Sequence, residues 1–485
     1  MKLSLIGHNH KYQIESLIKI FFPTVRFSDH DQSGTEKDWV ITRKKQGKHH
    51  IYLLAIACLN GKKQAAHFVM AQDVSEQEAR LQLCAALYLA LSRLLNRQLP
   101  WGMMTGIRPV KTVHQLMEQG NSPEQVRKIL KTKYFVSDEK IDLCLKTFSV
   151  QQRCFVMECQ PKVFSLYISI PFCPTRCSYC SFVSQAIATK ASIELMREYV
   201  KNLIAELAVT GEIVKNLGLK LESVYFGGGT PTALSAELLE ELFVCIQKHF
   251  DLSQLSEYTV EAGRPDTITL EKLQVLKKYR VSRISINPQS FNDEVLRNVG
   301  RKHTAQDVID CYQMARKLGI SCINMDLIAG LPLESLESFQ HSIDQAIALQ
   351  PENITVHTLT IKRSSDFYAA GEKPNRNSLV AEMVSYAGNH LRQAGYMPYY
   401  LYRQKNMIDN LENVGYSKPG FESPYNVYIM EENQTILAVG AGAVTKLVDE
   451  TGISRIFNYK YPYEYNNGFS EMIRRKQQVV NFYEK

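Results

Sequence analysis

The sequence contains no long hydrophobic run, no internal repeat and no segment of low complexity. Its longest apolar stretches, residues 51–59 and 83–95, are too short or too polar to span a bilayer. The apolar run near the start, within residues 1–8, stops far short of the core of an export signal. These absences predict a cytoplasmic protein with no membrane partner.

An excess of charge of either sign is missing as well. Lys and Arg number 57 against 49 Asp and Glu, which gives a net charge of +8 over 485 residues. So mild a balance is compatible with an anionic small molecule, an RNA or neither, and a nucleic-acid partner is not favoured. Hydrophobic residues make up 45% and charged residues 22% of the chain, as in ordinary globular proteins, and the length indicates two or three domains.

A disulfide framework is not indicated either. The eleven cysteines are an odd number, and Cys84, Cys144, Cys245 and Cys311 fall in helical apolar patterns typical of buried small side chains. In a reducing compartment, a tight group of cysteines indicates a metal site before it indicates a disulfide.

The middle of the chain, residues 163–380, alternates short apolar strands with helical patterns. Strands are predicted at 165–170, 223–226, 257–261, 283–286, 322–327 and 353–357, and helices near 191–216, 235–249, 267–279, 304–318 and 336–348. Because parallel strands need a crossover, this series predicts an α/β fold with a parallel sheet, curved into a partial TIM-like (β/α)6 barrel. In such sheets, functional groups gather at the carboxyl ends of the strands.

Two further regions flank this core. Residues 1–160 are predicted to form an N-terminal accessory domain, an α/β extension with strands at 48–57 and 65–71 and helices at 75–96, 110–120 and 123–133. Residues 381–485 are predicted to form a C-terminal α+β region that completes the substrate site, with a helix at 380–393 and a strand ending in the small-residue run 438–443.

Three cysteines directly follow the first predicted strand of the core. Cys173, Cys177 and Cys180 have the spacing C-x₃-C-x₂-C. A cubane cluster prefers thiolate ligands, and three of them leave one of its four irons open for a substrate. Tetrahedral zinc, the weaker interpretation, needs a fourth Cys or His, and neither Ser181 nor Phe182 supplies one.

The ends of the next two strands carry a glycine run and a carboxylate. Gly227-Gly228-Gly229-Thr230 lets backbone groups approach a ligand closely, although glycine runs also make ordinary turns. Glu261 ends the third strand, where a carboxylate suits a ribose diol or an ammonium group, or simply faces solvent.

Polar residues continue around the same edge. Gln289 and Ser290 follow the fourth strand, Arg301 lies in Gly-Arg-Lys-His, and Asp326 lies in the fifth strand segment. Each alone could be a surface residue. Five consecutive strands with a candidate ligand at the same end favour a single binding site.

Taken together, these residues resemble the radical SAM superfamily, where SAM is S-adenosylmethionine. Over roughly residues 163–450 they are similar to the oxygen-independent coproporphyrinogen III dehydrogenase family. The matching segments are Tyr-Ile-Ser-Ile-Pro-Phe-Cys (167–173), Gly-Gly-Gly-Thr-Pro-Thr (227–232), Val-Glu-Ala (260–262), Pro-Gln-Ser-Phe (288–291), Val-Gly-Arg-Lys-His-Thr (299–304) and Asn-Met-Asp-Leu-Ile-Ala-Gly-Leu-Pro (324–332). The stretch Trp-Gly-Met-Met-Thr-Gly-Ile-Arg-Pro (101–109) resembles a HemZ-like branch of that family.

The resemblance implies two cofactors and a role for each matched position. Cys173, Cys177 and Cys180 would ligate a [4Fe–4S] cluster whose open iron holds SAM. One SAM-binding set would be Tyr167, Gly228 and Glu261. A second set would be Tyr179, Gly229, Thr230, Gln289, Arg301 and Asp326, with Thr360 and Val444 matching two further positions.

The resemblance also implies an oxidoreductase of porphyrin and haem biosynthesis. An electron from a flavodoxin or ferredoxin would lead to cleavage of SAM and removal of a hydrogen atom from a propionate of coproporphyrinogen III. Loss of carbon dioxide and one electron would leave a vinyl group, and two rounds would give protoporphyrinogen IX. Basic residues should meet the propionates, and the candidates are Arg301, Lys362, Arg363 and Arg403.

The chain departs from the best-known members of that family at three places. They carry a fourth cysteine where this chain has Phe182, a His where it has Ser169, and Gly-Val where it has Asn287-Pro288. Relatives without the extra cysteine include haem-binding chaperones, so a haem chaperone on the same fold is the alternative function.

A third alternative is RNA modification, in which a second cluster is held by upstream cysteines. Only Cys154 and Cys159 lie close together before the core, and two ligands are too few for such a cluster.

Overall fold

A computed structural model describes residues 1–28, 37–360, 379–404 and 407–484. The chain divides into two compact units, Met1–Leu145 with Arg403–Leu411, and Lys146–Tyr402 with Glu412–Lys485. This division differs from the three parts expected from the sequence. Apart from Arg403–Leu411, the described residues of the C-terminal region belong to the second unit, because their strands join the same sheet as the core.

The first unit is built on a four-stranded sheet. β1 (Lys2–Ile6) runs parallel to β2 (Trp39–Gln46), and β2, β3 (His50–Leu59) and β4 (Lys62–Ala71) are antiparallel neighbours. Asn60 and Gly61 join β3 to β4 with φ values of +48° and +80°. Positive φ at both positions is the geometry of a type I′ turn, which an Asn-Gly pair adopts readily.

The helices of this unit are α1 (Lys11–Phe21), α2 (Glu76–Leu95), α3 (Pro109–Glu118), α4 (Pro123–Thr132) and α5 (Asp138–Cys154), the last of which continues into the second unit. α2 packs its buried side chains on β3 and β4. The three helices predicted here are confirmed, whereas α1, β1, β2 and α5 are additional.

The second unit contains a sheet of eleven strands. Six parallel strands lie at its centre, and each pairs with the next of them along the chain: β5 (Val163–Ile170), β8 (Lys220–Gly228), β9 (Glu257–Gly263), β10 (Arg283–Ile286), β11 (Cys322–Ala329) and β12 (Asn353–Thr358). Two short strands, β6 (Phe172–Cys173) and β7 (Gln185–Ala186), pair beside them. All six predicted strands of the core are confirmed within a few residues.

Helices connect these strands, as crossovers between parallel strands require. They are α6 (Lys190–Leu217), α7 (Ala236–His249), α8 (Leu270–Lys278), α9 (Asp293–Asn298), α10 (Ala305–Lys317) and α11 (Leu336–Leu349). Side-chain caps fix where several begin, and the hydroxyl of Thr189 accepts a 3.2 Å bond from the backbone N–H of Ser192 at the start of α6. The partial (β/α)6 barrel of the radical SAM fold is therefore confirmed.

The C-terminal region extends both sides of this sheet. After α12 (Leu379–Gln393), strand β14 (Asn413–Ser417) pairs antiparallel with β12, and β13 (Met397–Tyr402) pairs antiparallel with β14 at the sheet edge. After α13 (Pro424–Glu431), strand β15 (Thr435–Val439) lies parallel to β5, followed by the antiparallel β16 (Val444–Asp449) and β17 (Gly452–Phe457). The chain continues through α14 (Pro462–Asn467), α15 (Phe469–Arg475) and α16 (Gln477–Tyr483).

One fully buried carboxylate joins these C-terminal elements to the core. Glu206 on α6 is 0% exposed and lies 2.8 Å from the ammonium of Lys476. It also accepts hydrogen bonds from the Tyr465 hydroxyl at 2.6 Å and from the backbone N–H of Gly440 at 2.8 Å. Burial raises the pKa of Glu206, but Lys476 and the hydrogen bonds outweigh it, so the carboxylate is ionised.

No helix of the described residues is both long enough and apolar enough to traverse a bilayer.

Candidate functional site

The three cysteines lie on the loop that leaves the carboxyl end of β5. Cys177 is only 7% exposed, and the backbone N–H of Cys180 bonds the carbonyl of Cys177 at 3.0 Å. Burial raises the pKa of Cys173, and it raises that of Cys180 to about 11, with the neighbouring cysteines adding to both shifts. Cys173 and Cys180 therefore need a positive centre to hold them as thiolates.

This donor set fits an iron–sulfur cluster better than a single ion. Within the described ranges, no three His, Cys, Asp or Glu side chains lie close enough to share one metal ion. A cubane cluster binds each thiolate through a different iron, so its ligands lie further apart than those of one tetrahedral zinc. The two residues that follow the third cysteine, Ser181 and Phe182, carry no thiol or imidazole and so add no Cys or His ligand.

The glycine run at the end of β8 lies directly against the cysteine loop. The backbone N–H of Gly229 bonds the Ile170 carbonyl at 2.8 Å, and that of Thr230 bonds the Phe172 carbonyl at 2.8 Å. A Cβ atom on Gly229 would lie 2.6 Å from the Phe172 oxygen, so no larger residue fits there. The Thr230 hydroxyl lies 3.4 Å from the Cys173 sulfur.

Glu261 lies on the adjacent strand, β9, and faces the same end. Its carboxylate accepts a 2.6 Å hydrogen bond from the hydroxyl of Tyr225 on β8. Burial raises the pKa of Glu261 to about 7, and the charge of Asp326 adds to this, while the Tyr225 bond and His357 oppose it. At this pKa the protonated and ionised forms of the carboxyl are both populated near neutral pH. A ligand that donates hydrogen bonds to the carboxylate, such as a ribose diol, would stabilise the ionised form.

Three tyrosines form an aromatic wall next to Glu261. The rings of Tyr225 and Tyr425 stack with centroids 4.2 Å apart, and Tyr167 lies 6.3 Å from the first and 6.2 Å from the second. Burial and the charge of Glu261 raise the pKa of Tyr167, Tyr225 and Tyr425, so all three stay neutral. The wall offers flat apolar surfaces beside a single carboxyl group.

Arg301 is buried against the cysteine loop. Its guanidinium donates to the hydroxyl of Tyr179 at 2.9 and 3.2 Å and to the carbonyl of Asn287 at 3.3 Å. The hydroxyl of Tyr179 and the thiol of Cys177 raise the pKa of Arg301 against the effect of burial, so it stays charged.

Several buried polar atoms beside Arg301 have no hydrogen-bond partner among the described residues. They are the side-chain oxygens of Asn287 and Gln289 and both ring nitrogens of His303. Burial lowers the pKa of His303 to about 4, and the charge of Arg301 adds to the shift. Unpaired buried polar atoms are costly, so this group of atoms fits a polar ligand that would satisfy them.

Gln289 and Asp326 are joined through the backbone. Gln289 has a φ of +66°, and its N–H bonds the Asp326 carbonyl at 2.9 Å. The Asp326 carboxylate accepts a 2.8 Å bond from the Asn324 amide and lies 3.7 Å from the Nε2 atom of His357. Burial raises the pKa of Asp326, but His357 and Asn324 outweigh it and hold the pKa below its usual value.

The remaining predicted residues are placed as follows. Thr360 follows β12, and its hydroxyl donates to the Thr358 carbonyl at 3.4 Å. Val444 begins β16, just past the carboxyl end of β15. Lys362 and Arg363 lie outside the described residues. Arg403 belongs to the first unit, where its guanidinium bonds the Met104 carbonyl at 2.7 Å.

Ser169, which replaces the family's histidine, has a structural role in the second unit. Its hydroxyl donates to the Ala441 carbonyl at 2.7 Å, and its own carbonyl accepts from the Tyr199 hydroxyl at 2.7 Å. It therefore ties β5 to the turn after β15.

Three residues of the candidate site were not predicted from the sequence. Arg264 comes directly after β9 and approaches Cys177, and His357 lies near the end of β12, so the strand-end rule that identified Glu261 could have found both. Tyr425 gave no signal, because it follows its stacking partner by 200 residues in the chain.

Six parallel strands with three clustered cysteines and a ring of polar strand ends define a radical SAM protein. Residues 167–346 match the model of the Radical SAM superfamily. Members of this superfamily carry a [4Fe–4S] cluster and SAM, which are therefore the cofactors of this chain. The thiols and the unpaired polar atoms described above fit both groups.

The particular family follows from a relative that spans most of the chain. The oxygen-independent coproporphyrinogen-III oxidase-like protein HemZ of Bacillus subtilis (strain 168) is 42% identical over 423 residues, covering 83% of this chain and 82% of HemZ. The chain therefore belongs to the HemZ-like branch of the oxygen-independent coproporphyrinogen III dehydrogenase family.

Two further relatives bear on fold and function. The heme chaperone HemW of the same Bacillus subtilis strain is 33% identical over 284 residues, covering 58% of this chain and 70% of HemW. The solved structure of coproporphyrinogen III oxidase (HemN) from Escherichia coli, a radical SAM enzyme, matches 67% of this chain and 73% of its own length with a TM-score of 0.51. Its sequence is 22% identical, so the match supports the fold.

Proposed function

We propose that this protein catalyses the oxygen-independent oxidative decarboxylation of coproporphyrinogen III to protoporphyrinogen IX. Two propionate side chains would each lose one hydrogen atom to the 5′-deoxyadenosyl group, one electron to an electron acceptor, and carbon dioxide, and each would become a vinyl group. The cluster and SAM, when bound, would supply the hydrogen-atom abstraction, with one methionine and one 5′-deoxyadenosine formed in each round. A flavodoxin or ferredoxin would supply the electron that enters the cluster.

The observation that carries this proposal is the extent of the similarity to HemZ. The match covers 83% of the chain, so it extends into the N-terminal unit, whereas the match to HemW covers 58%. Similarity over the larger share of the chain favours the activity named for HemZ over that named for HemW.

The residues of this chain would bind, orient and shield the reactants. Cys173, Cys177 and Cys180 would hold the cluster, and Glu261 would accept hydrogen bonds from the ribose of SAM. Asp326, Gln289 and the other members of the second predicted set would complete the polar surface around SAM. Gln289 and Thr230 are buried, while Glu261 and Asp326 are partly exposed, so bound SAM would cover these carboxylates and exclude water from them.

The aromatic wall supports the further proposal that residues 381–485 complete the substrate site. Tyr425 comes from this C-terminal region and stacks on Tyr225 of the core at 4.2 Å. A pyrrole ring can lie against such a surface. Of the candidate basic residues, Arg301 is the one described in the second unit, and it keeps its charge, so we propose that it meets a propionate.

The test is a product analysis without oxygen. The full chain is reconstituted with iron and sulfide, reduced with dithionite, and mixed with SAM and coproporphyrinogen III. The expected products are 5′-deoxyadenosine and, after oxidation, protoporphyrin. Both should vanish in Cys177→Ala and persist in Cys245→Ala, a matched control at a buried cysteine on α7. Formation of 5′-deoxyadenosine without any vinyl product would contradict the proposed substrate.

The second candidate function is a haem chaperone. The absence of a fourth cysteine at Phe182 and the 33% identity to HemW favour it. A chaperone would bind haem in a stoichiometric complex and would yield no vinyl product under the same conditions. Titration with haem, followed by its absorption spectrum, therefore separates the two functions.

A further inference from the structure

The most buried of the three cluster cysteines has a cationic neighbour that the family motifs do not include. Arg264 follows β9, three residues after Glu261, and its side chain is 3% exposed. Its Nη1 atom lies 3.7 Å from the sulfur of Cys177 and donates to the Thr175 carbonyl at 3.0 Å. The guanidinium thus contacts the cysteine loop at Thr175 and at Cys177.

A carboxylate fixes the other side of this guanidinium. Asp266 accepts bonds from Nε of Arg264 at 2.9 Å and from Nη2 at 2.8 Å, which is a bidentate pair. Burial raises the pKa of Asp266, but its bonds to Arg264 outweigh that effect, so the carboxylate is ionised. With three of its nitrogens held in this way, Arg264 can present Nη1 to Cys177 in only one orientation.

We propose that Arg264 is a positioning residue that sets the reduction potential of the cluster through its N–H group on the Cys177 thiolate. Hydrogen bonds to cluster sulfurs stabilise the reduced form, which carries the additional negative charge, and so raise the potential. Because Asp266 compensates the charge of Arg264, the directed N–H is the main contribution of the pair. The proposal rests on the cluster and not on the porphyrinogen substrate, so it is independent of the proposed function.

The pair offers two substitutions with opposite expected effects. Arg264→Met with Asp266→Asn removes the donor and leaves no unpaired buried charge. The potential should become more negative, with about a tenfold loss in the equilibrium constant for reduction, equivalent to about 59 mV for one electron. Asp266→Asn alone keeps the donor and leaves its positive charge uncompensated, so the potential should become more positive.

The experiment is a redox titration of the reconstituted full chain without SAM, followed by electron paramagnetic resonance of the reduced cluster. Iron and sulfide content are measured for each variant, so that loss of the cluster is distinguished from a change in potential. Arg316→Met is the matched control, because Arg316 makes a similar two-bond contact with Glu352 without contacting a cluster cysteine. It should keep the wild-type potential.

An unchanged potential in the double variant with a full cluster would overturn the proposal. If the double variant assembles no cluster, Arg264→Lys decides, because it keeps both charges of the pair: a potential more negative than that of the wild type supports the role of the Arg264 N–H, and an unchanged potential rules it out. Arg264→Lys provides a rescue test, since it restores a donor without the planar fork and should return part of the shift. Turnover of coproporphyrinogen III is not used as a readout, so failure of the proposed function would leave these results unaffected.

Discussion

The hydroxyl of Tyr225 donates a 2.6 Å hydrogen bond to the carboxylate of Glu261, so two adjacent strands of the barrel share one polar contact at their carboxyl ends. The strand that carries Tyr225 continues into the glycine run beside the cysteine loop. This contact therefore links Glu261, the carboxylate predicted to bind SAM, to the segment that packs against Cys173, the first predicted cluster ligand.

Removing the Tyr225 hydroxyl should weaken SAM binding at neutral pH. The bond lowers the pKa of Glu261, so Tyr225→Phe should raise it further and leave more of the carboxyl protonated. We expect the dissociation constant of SAM at pH 7 to increase by about three- to tenfold, as measured by equilibrium dialysis on the reconstituted protein.

The matched control is Tyr258→Phe. Tyr258 is a buried tyrosine on β9 whose hydroxyl has no hydrogen-bond partner among the described residues. Its removal should leave SAM binding unchanged. Equal losses in the two variants would show that the effect comes from general repacking.

SAM affinity should depend on pH through Glu261. Its folded pKa of about 7 lies above the ordinary carboxyl value, mainly because of burial, so the group is protonated below pH 7. A ribose diol donates to the ionised form, so affinity should fall by up to about tenfold per pH unit below 7 and level off above it. Isothermal titration between pH 6 and pH 8.5 measures this, and Glu261→Gln should give a flat profile with weak binding.

The same carboxyl has a consequence for stability without SAM. Because its folded pKa is raised, its favourable contribution is present in acid and is lost as the pH rises from the unfolded value through 7. Glu261→Gln should therefore stabilise the protein at pH 8 more than at pH 5, as thermal melting would show. Equal stabilisation at the two pH values would contradict the raised pKa.

Gly229 should not accept a side chain. An alanine Cβ would lie 2.6 Å from the Phe172 oxygen and 2.9 Å from its nitrogen, which are backbone atoms of the segment leading into the cysteine loop. Gly229→Ala should cost about 1–3 kcal/mol in the free energy of unfolding and lower the iron content after reconstitution. Gly106→Ala, where nothing lies within 4 Å of the new Cβ and φ is ordinary, should change neither quantity.

Removing one partner of the ion pair between Glu206 and Lys476 should destabilise the protein more than replacing both partners. Lys476→Met leaves a fully buried carboxylate without its cation, at an expected cost of about 3–5 kcal/mol. The double variant Glu206→Leu with Lys476→Met should recover part of this loss, because no buried charge is then left unpaired. Thermal melting of the wild type, Lys476→Met and the double variant tests this, and a double variant no more stable than Lys476→Met would contradict the pairing argument.

The central strands and helices could be predicted because each is local. An apolar run followed by a glycine or polar break gives a strand end, and the helices between carry their own periodicity and caps. The antiparallel strands β13 and β14 were not predicted. A strand near β15 was predicted from the run that ends at Ala443, but its pairing of Thr435 with Phe164 depends on a contact between distant parts of the sequence.

The candidate functional site could likewise be predicted only where its residues follow from local sequence. Residues at strand ends, such as Glu261 and Asp326, follow from the rule that parallel strands end on one side. Tyr425 and the bond between Arg301 and Tyr179 depend on side-chain packing, which spacing in the sequence does not encode. The third predicted strand also ends only three residues before Arg264, whose contact with Cys177 depends on the turn that follows.

The return of Arg403–Leu411 to the first unit constrains the order in which the protein can fold during synthesis. Arg403 donates to the carbonyl of Met104, a contact between residues 299 positions apart. On the ribosome, the first 145 residues emerge early but lack this segment until all six parallel strands of the barrel have been made. The N-terminal unit thus begins folding first and finishes among the last, and a chain truncated before residue 403 would carry an incomplete version of it.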